Sequence, residues 1–281
     1  MKFQHITTTL SFSAIFFVSL LCVSSELEAT HLVIGGSGTD LATMRLLSAE
    51  YQKLHPGVNV EVLNSIGSSG GIRALRDGKL DIAITSRALK ANEKSANIHS
   101  YLYAHTALVY ATAISNPINN VTHDELKNIY SGAHPYWPNG KVARPVLRPE
   151  SDSDTMLVRK HLTWMNESLT KAYSRRGVPM AITDQDSATK IASIPGAIGT
   201  STLALILTEN KKLKPLRING VEPSVENIAN NTYTMVKNLY LVINTSPQPK
   251  VKSFLEFFLS QPSQQLLEKT GHKVVPVKLR D

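Results

Sequence analysis

From residue 31 onward, short apolar strands alternate with amphipathic helices, an order that points to an α/β architecture. His31 to Gly35 reads as a buried strand. A helix follows from Thr39 to His55, with Leu41, Met44, Leu47, Tyr51 and Leu54 along one face. Pro56-Gly57 ends it, and Val58 to Leu63 alternates as a second strand. Gly67 to Gly71 reads as a glycine-serine loop opening a short helix from Ile72 to Arg76, and Leu80 to Thr85 as a third strand. This βαβαβ order predicts a parallel sheet with helices on both faces.

A second unit begins after a long apolar strand from Ala107 to Ile114 and the segment Ser115-Asn116-Pro117. It holds a helix from Thr122 to Tyr130, a strand from Val142 to Leu147, and helices over Asp154 to Trp164 and Gln185 to Ala192. A strand from Met235 to Ile243 returns, followed by helices from Lys250 to Leu259 and Ser263 to Lys269.

The first 25 residues read as an export signal rather than as part of this fold. Lys2 supplies the basic start, Leu10 to Val23 form a 14-residue apolar run, and Val23-Ser24-Ser25 suits signal peptidase. The run is shorter than the ~20 residues of a membrane span. The chain's single cysteine, Cys22, lies within it, and Leu21 stands where a lipoprotein signal has a small residue. A mature form beginning near Glu26 has no thiol, which excludes disulfides, thiolate metal sites and a cysteine nucleophile. The full chain carries 30 Lys and Arg against 22 Asp and Glu, and cleavage removes only Lys2 among them, leaving +7. The basic residues are scattered, so the charge suits attraction of a small anion better than a nucleic-acid surface.

Three segments share one design. Gly35-Gly36-Ser37-Gly38-Thr39, Gly67-Ser68-Ser69-Gly70-Gly71 and Ser151-Asp152-Ser153-Asp154-Thr155 each join a strand to a helix. Each places hydroxyls beside the unpaired N–H groups of a helix start, where the dipole is positive and small anions bind. In parallel sheets such loops gather at the carboxyl edge. Arg87, after Ser86 at the end of the third strand, and Arg148, at the end of the Val142 to Leu147 strand, add paired donors with a permanent charge.

These segments resemble, in order, the ligand loops of phosphate-binding proteins of phosphate ABC transporters. The likeness covers Gly35 to Thr39, Gly67 to Ile72, Asp81 to Arg87 and Arg148 to Thr155. It continues through Thr122 to Gly132 with Trp137, Pro195 to Gly199, and the final helices to Pro276. The resemblance implies the type II periplasmic-binding-protein fold, two α/β lobes that are each a mixed sheet flanked by helices. Residues 26–114 and 236–281 would form one lobe and 115–235 the other, with chain crossings near Ala113 to Pro117 and Tyr233 to Lys237. The implied ligand set is Ser37, Thr39, Asp40 through its N–H, Ser68, Ser86, Arg87, Arg148, Ser153, Asp154 through its N–H, and Thr155. The implied partners are inorganic phosphate, or a similar oxyanion, and an ABC permease, with a monomeric periplasmic protein and no cofactor.

Two departures bear on selectivity. Some members of that family have an aspartate where Arg87 stands, which accepts the proton that phosphate carries and sulfate lacks, whereas others have Ser-Arg, as Ser86-Arg87 is here. The Arg148 loop is one residue longer than the common pattern, and Asp154 replaces a glycine. An acceptor is therefore expected among Asp40, Asp152 and Asp154, with Asp154 favoured because it lies between Ser153 and Thr155. One alternative keeps the fold and binds another anion, such as sulfate, molybdate or a small carboxylate, or serves a membrane sensor; the enzymatic alternative, a phosphatase, needs a nucleophile with its base. The 9 histidines make no H-E-x-x-H spacing.

Overall fold

The computed structural model describes residues 30–278, so the expected signal segment and Cys22 lie outside the described residues. The first elements are β1 (Thr30–Gly36), α1 (Leu41–Leu54), β2 (Val58–Val62), α2 (Gly67–Arg76), β3 (Ile82–Thr85) and the long β4 (Ile98–Ala113). Next come β5 (Asn120–Val121), α3 (His123–Ser131), β6 (Arg144–Val146), α4 (Ser153–His161), α5 (Asn166–Ser174), α6 (Asp184–Ser193), β7 (Ala197–Thr202) and α7 (Leu203–Thr208). The chain ends with β8 (Leu213–Pro215), β9 (Arg217–Ile218), α8 (Val225–Ala229), β10 (Val236–Asn244), α9 (Pro249–Phe258), α10 (Gln261–Lys269) and β11 (His272–Val274).

Local chemistry explains many of the boundaries. In α1, Leu41, Met44, Leu47, Ser48 and Tyr51 recur at helical spacing and are buried. In α3, the Thr122 hydroxyl accepts from the Glu125 N–H, and the Thr122 N–H donates to the Glu125 carboxylate at 2.6 Å. That reciprocal cap fixes the start, and Gly132 at φ 81° ends the helix.

The strand order is β2-β1-β3-β10-β4-β7-β6, with β8 and β11 also on β4. Strands β1, β2 and β3 are parallel as the βαβαβ pattern predicts. The returning β10 lies antiparallel between β3 and β4, so the sheet is mixed. Strand β4 begins at Ile98, nine residues ahead of the apolar run that marked it in the sequence, because His99, Ser100, His105 and Thr106 interrupt that pattern. Its first half pairs with β10 and β11, and its second half pairs with β7 and β8.

One strand thus runs through two cores. Leu32, Ile34, Met44, Leu47, Ile82, Ile84, Ala104, Leu239, Phe254 and Phe258 fill the first. Ala107, Val109, Tyr110, Leu126, Ile129, Trp137, Met165, Ile198 and Met235 fill the second. The packing changes hands inside β4, between Ala104 and Ala107, and again at the start of β10, between Met235 and Leu239. The molecule is a two-lobed α/β fold whose lobes share β4.

Candidate anion-binding site between the lobes

The site forms where helix starts from both lobes meet. At the end of β1, Gly36 adopts φ 133°, and a Cβ there would stand 2.1 Å from the Ile84 carbonyl oxygen. Only glycine lets the chain pass this close to β3. The turn delivers Ser37 and Thr39 to the start of α1. The second expected loop is the first turn of a helix: α2 begins at Gly67, so Ser68 and Ser69 stand in its first turn. Gly71 makes this possible, since a Cβ there would lie 2.8 Å from the Gly36 Cα. Ser86 follows β3, and Ser153 opens α4 from the other lobe.

These hydroxyls converge. The Ser37 Oγ lies 3.2 Å from Thr39 Oγ1 and 3.0 Å from Ser86 Oγ. The Ser86 Oγ is 3.3 Å from Ser68 Oγ and 3.1 Å from Ser153 Oγ, the latter contact crossing between lobes. A second cross-lobe bond runs from the Gln185 side-chain amide to the Gly38 carbonyl at 2.9 Å. Each hydroxyl carries one rotatable proton, so the cluster can turn donors toward an anion for the loss of hydroxyl–hydroxyl bonds alone. Above it lies a cavity of about 370 Å³, lined by Ser37, Ser68, Arg87, Arg148, Ser153 and Asp184 among others.

The two arginines differ. Arg148 is 4% exposed. Its Nη2 donates to Asp152 Oδ2 at 2.7 Å, while its Nη1 is buried without a partner. A buried guanidinium donor left unmade is costly, and Arg148 lines a cavity that has room for an acceptor. Arg87 also lines the cavity, but Glu93 holds it through two bonds of 2.6 Å, and a third bond of 2.8 Å goes to Ser69. The bonds from Arg87 hold the Glu93 carboxyl at a pKa of about 2, against the opposing effect of burial.

Of the three candidate acceptor aspartates, Asp152 lines the cavity while Asp40 and Asp154 do not, and each has partners in the protein. The Asp40 carboxylate turns into its own lobe, accepting from the Tyr103 hydroxyl and contacting His272 Nε2 at 2.9 Å. Asp152 pairs with Arg148 and caps α4, its Oδ1 accepting the Asp154 N–H at 2.9 Å. That bond occupies the N–H expected to reach the ligand. The Asp154 carboxylate pairs with Lys237, both side chains being about 1% exposed. Thr155 donates to the Arg148 carbonyl at 3.3 Å and meets the Tyr173 hydroxyl at 3.2 Å; like Thr39 and Ser86 it does not line the cavity, but unlike them it has no bond to the serine cluster.

A further aspartate, absent from the expected set, also lines the cavity. Asp184 opens α6 and lines the cavity. Its Oδ1 is 3.8 Å from Arg148 Nη2 and 3.7 Å from Lys237 Nζ. Its Oδ2 faces Gly38 of the opposite lobe so closely that a Cβ there would lie 2.8 Å away. Burial raises its pKa, and nearby Asp154 and Asp152 add to the rise against Lys237 and Arg148. Burial opposes charge on Lys237 as well, yet Asp154 and Asp184 raise its pKa. For Asp154, burial is outweighed by Lys237 and Arg148, which lower its pKa. The sequence signal for Asp184 is the cap pattern Thr183-Asp184-Gln185-Asp186, which marks a helix start but not what that start faces.

Fold and site together define a two-lobed binding protein with an anion-suited cleft: hydroxyl donors, a buried arginine and four helix starts, with hydrogen bonds that link the serines to one another rather than to a histidine. A family model for the PBP superfamily domain matches residues 23–262, and the chain belongs to that superfamily. It is 27% identical over 245 residues to the phosphate-binding protein PstS of Borreliella burgdorferi, covering 85% of this chain and 88% of that protein. It is 28% identical over 267 residues to protein SphX of Synechococcus elongatus, covering 86% of this chain and 77% of that one. A similar fold occurs in a crystal structure described as a phosphate ABC transporter substrate-binding protein with bound phosphate, from Clostridium perfringens. The TM-score is 0.74 at 23% identity, over 88% of this chain and 100% of that one. Among the described residues, no helix is long and apolar enough to cross a membrane.

Proposed function

We propose that this protein captures inorganic phosphate, or a similar tetrahedral oxyanion, between its lobes in the periplasm and presents it to the permease of an ABC transporter. The observation that carries the reading is the unpartnered Nη1 of buried Arg148, set beside a cross-lobe cluster of serine hydroxyls. The names of the PstS relatives support the choice of anion. The binding set is Ser37, Thr39, Ser68, Ser86 and Ser153 as hydroxyl donors, with Arg148 as the charged donor. Asp184 accepts the proton of the bound anion. Arg87 serves as a wall held by Glu93.

The ligand does not react; the protein acts as a carrier rather than a phosphatase, and as a monomer. One lobe comprises the chain up to the middle of β4 together with the chain from β10 onward, and the other comprises what lies between. The first crossing then falls near Ala104 to Ala107, where the packing changes, some residues ahead of the Ala113 to Pro117 expected from the sequence. Titration calorimetry with phosphate, sulfate, nitrate and acetate tests the reading. One phosphate site per chain, lost in Arg148→Ala, is expected. Heat with none of the tetrahedral anions would sink it.

A further inference from the structure

The cleft is larger than the anion assigned to it. An oxyanion of five heavy atoms fills on the order of 150 Å³ if each atom takes about the ~30 Å³ share of a water molecule. The cavity holds about 370 Å³. The excess does not come from parted lobes. Ser86 and Ser153 already touch across the cleft at 3.1 Å, and Gln185 already bonds the Gly38 carbonyl at 2.9 Å.

The lining is also divided by chemistry. The floor is Ser37, Ser68, Ser153 and Arg148, whereas Ile66 from one lobe and Ile182 from the other line the same cavity, with Pro149 between polar residues. Ile66 is 46% exposed and Ile182 is 66% exposed, so both retain apolar surface that a ligand can cover. A bare phosphate ion makes no use of such surface. A ligand with an anionic head and a short apolar tail uses both ends.

We infer that the cleft also takes small substituted forms of the same anion, alkylphosphonates or alkyl phosphate monoesters, with the PO₃ group on the hydroxyl floor and the alkyl chain between Ile66 and Ile182. The inference rests on the anion site proposed above. A buried methylene strengthens binding about fourfold, and partial cover at a cleft mouth gives roughly two- to fourfold.

Competition calorimetry with phosphate, methylphosphonate, ethylphosphonate and propylphosphonate tests it, on the wild type and on Ile66→Ser/Ile182→Ser. All four ligands should compete for one site, with affinity rising about two- to fourfold per added carbon in the wild type. In the double variant the chain-length gain should vanish, while phosphate affinity stays within about twofold and the melting temperature is unchanged. Phosphate binding with phosphonates excluded, or with no dependence on chain length, overturns the inference and leaves the phosphate site standing. If neither phosphate nor any phosphonate binds, the anion site itself is wrong.

Discussion

Sequence reasoning gives Arg87 and Arg148 the same role, and the structure separates them in a way that one pair of variants can test. Arg148→Ala removes the buried, unpartnered Nη1 and leaves Asp152 and Asp184 without their guanidinium. A hydrogen bond to a charged group contributes roughly 1.5–3 kcal/mol. At ~1.4 kcal/mol per decade, losing one weakens phosphate binding by about 10- to 150-fold. The uncompensated carboxylates push in the same direction, so the upper part of that range is expected. The variant should also melt lower than wild type, because Arg148 is 4% exposed and ion-paired. Arg87→Ala is different. Both of its 2.6 Å bonds go to Glu93, so its loss frees a carboxylate at the wall rather than removing a ligand donor. A change of no more than about fivefold is expected. Calorimetry at one pH and ionic strength, with melting curves for each ligand-free protein, supplies the comparison. If Arg148→Ala binds phosphate within about threefold of wild type, or if Arg87→Ala is the more damaging, the assignment of donors is refuted.

Three further outcomes follow from the charges around the site. Lys237→Met strands Asp154 inside the protein, and breaking a buried pair costs about 3–5 kcal/mol. At roughly 2–4 °C per kcal/mol for a chain of this size, a clear fall in melting temperature is expected, largely recovered in Lys237→Met/Asp154→Leu; an unchanged melt would refute the pairing. Asp184→Asn should raise the ligand-free melting temperature at neutral pH, because a carboxyl with a raised folded pKa favours the folded state below its unfolded value of ~3.9 and that contribution is lost as pH rises through the folded value. The gain should shrink as pH falls into the carboxylate range, and a variant less stable than wild type at pH 7 would contradict it. Glu93→Gln should release Arg87 toward the cavity and tighten phosphate and sulfate alike by several-fold, so equal or weaker binding counts against the idea that Glu93 restrains it.

What the sequence made legible was local. A glycine–serine turn between strand and helix can be recognised from neighbouring residues, and Ser37, Thr39, Ser68 and Ser153 all come together as that pattern implies. The first turn of α2 was not legible, because Gly-Ser-Ser-Gly-Gly is poor in helix formers and becomes helical by packing on β1 through Gly71. Lys237 was hidden for the opposite reason. It sits at the head of an apolar strand, and only the meeting of β10 with α4 and α6 shows that its ammonium is buried among carboxylates. Asp184 looked like an ordinary acid at a helix start. Its place opposite Gly38 depends on residues 146 positions apart in the chain. Glu93 belongs to the same class, since its hold on Arg87 reverses what an arginine at a strand end suggests.

The distribution of charge then bears on which anion the cleft prefers. Around the cavity, Arg148 and Lys237 face Asp152, Asp154 and Asp184, so the buried groups offer a dianion no surplus of positive charge. Attraction at long range comes from the basic surface of a chain with formal charge +8. Binding at short range must come from oriented donors: rotatable hydroxyls, the Arg148 Nη1 and the helix starts. A site of that kind, taken alone, does not distinguish phosphate from sulfate. A carboxylate on its wall does. Ionised Asp184 can accept the proton of HPO₄²⁻, whereas sulfate meets the same oxygen with no proton to share and is repelled. On the reading proposed above, the acceptor is Asp184 on α6, while position 87 carries an arginine tied to Glu93. That reading ties selectivity to the contact between the lobes, because Asp184 faces the first lobe's loop at Gly38, where Gln185 bonds the Gly38 carbonyl.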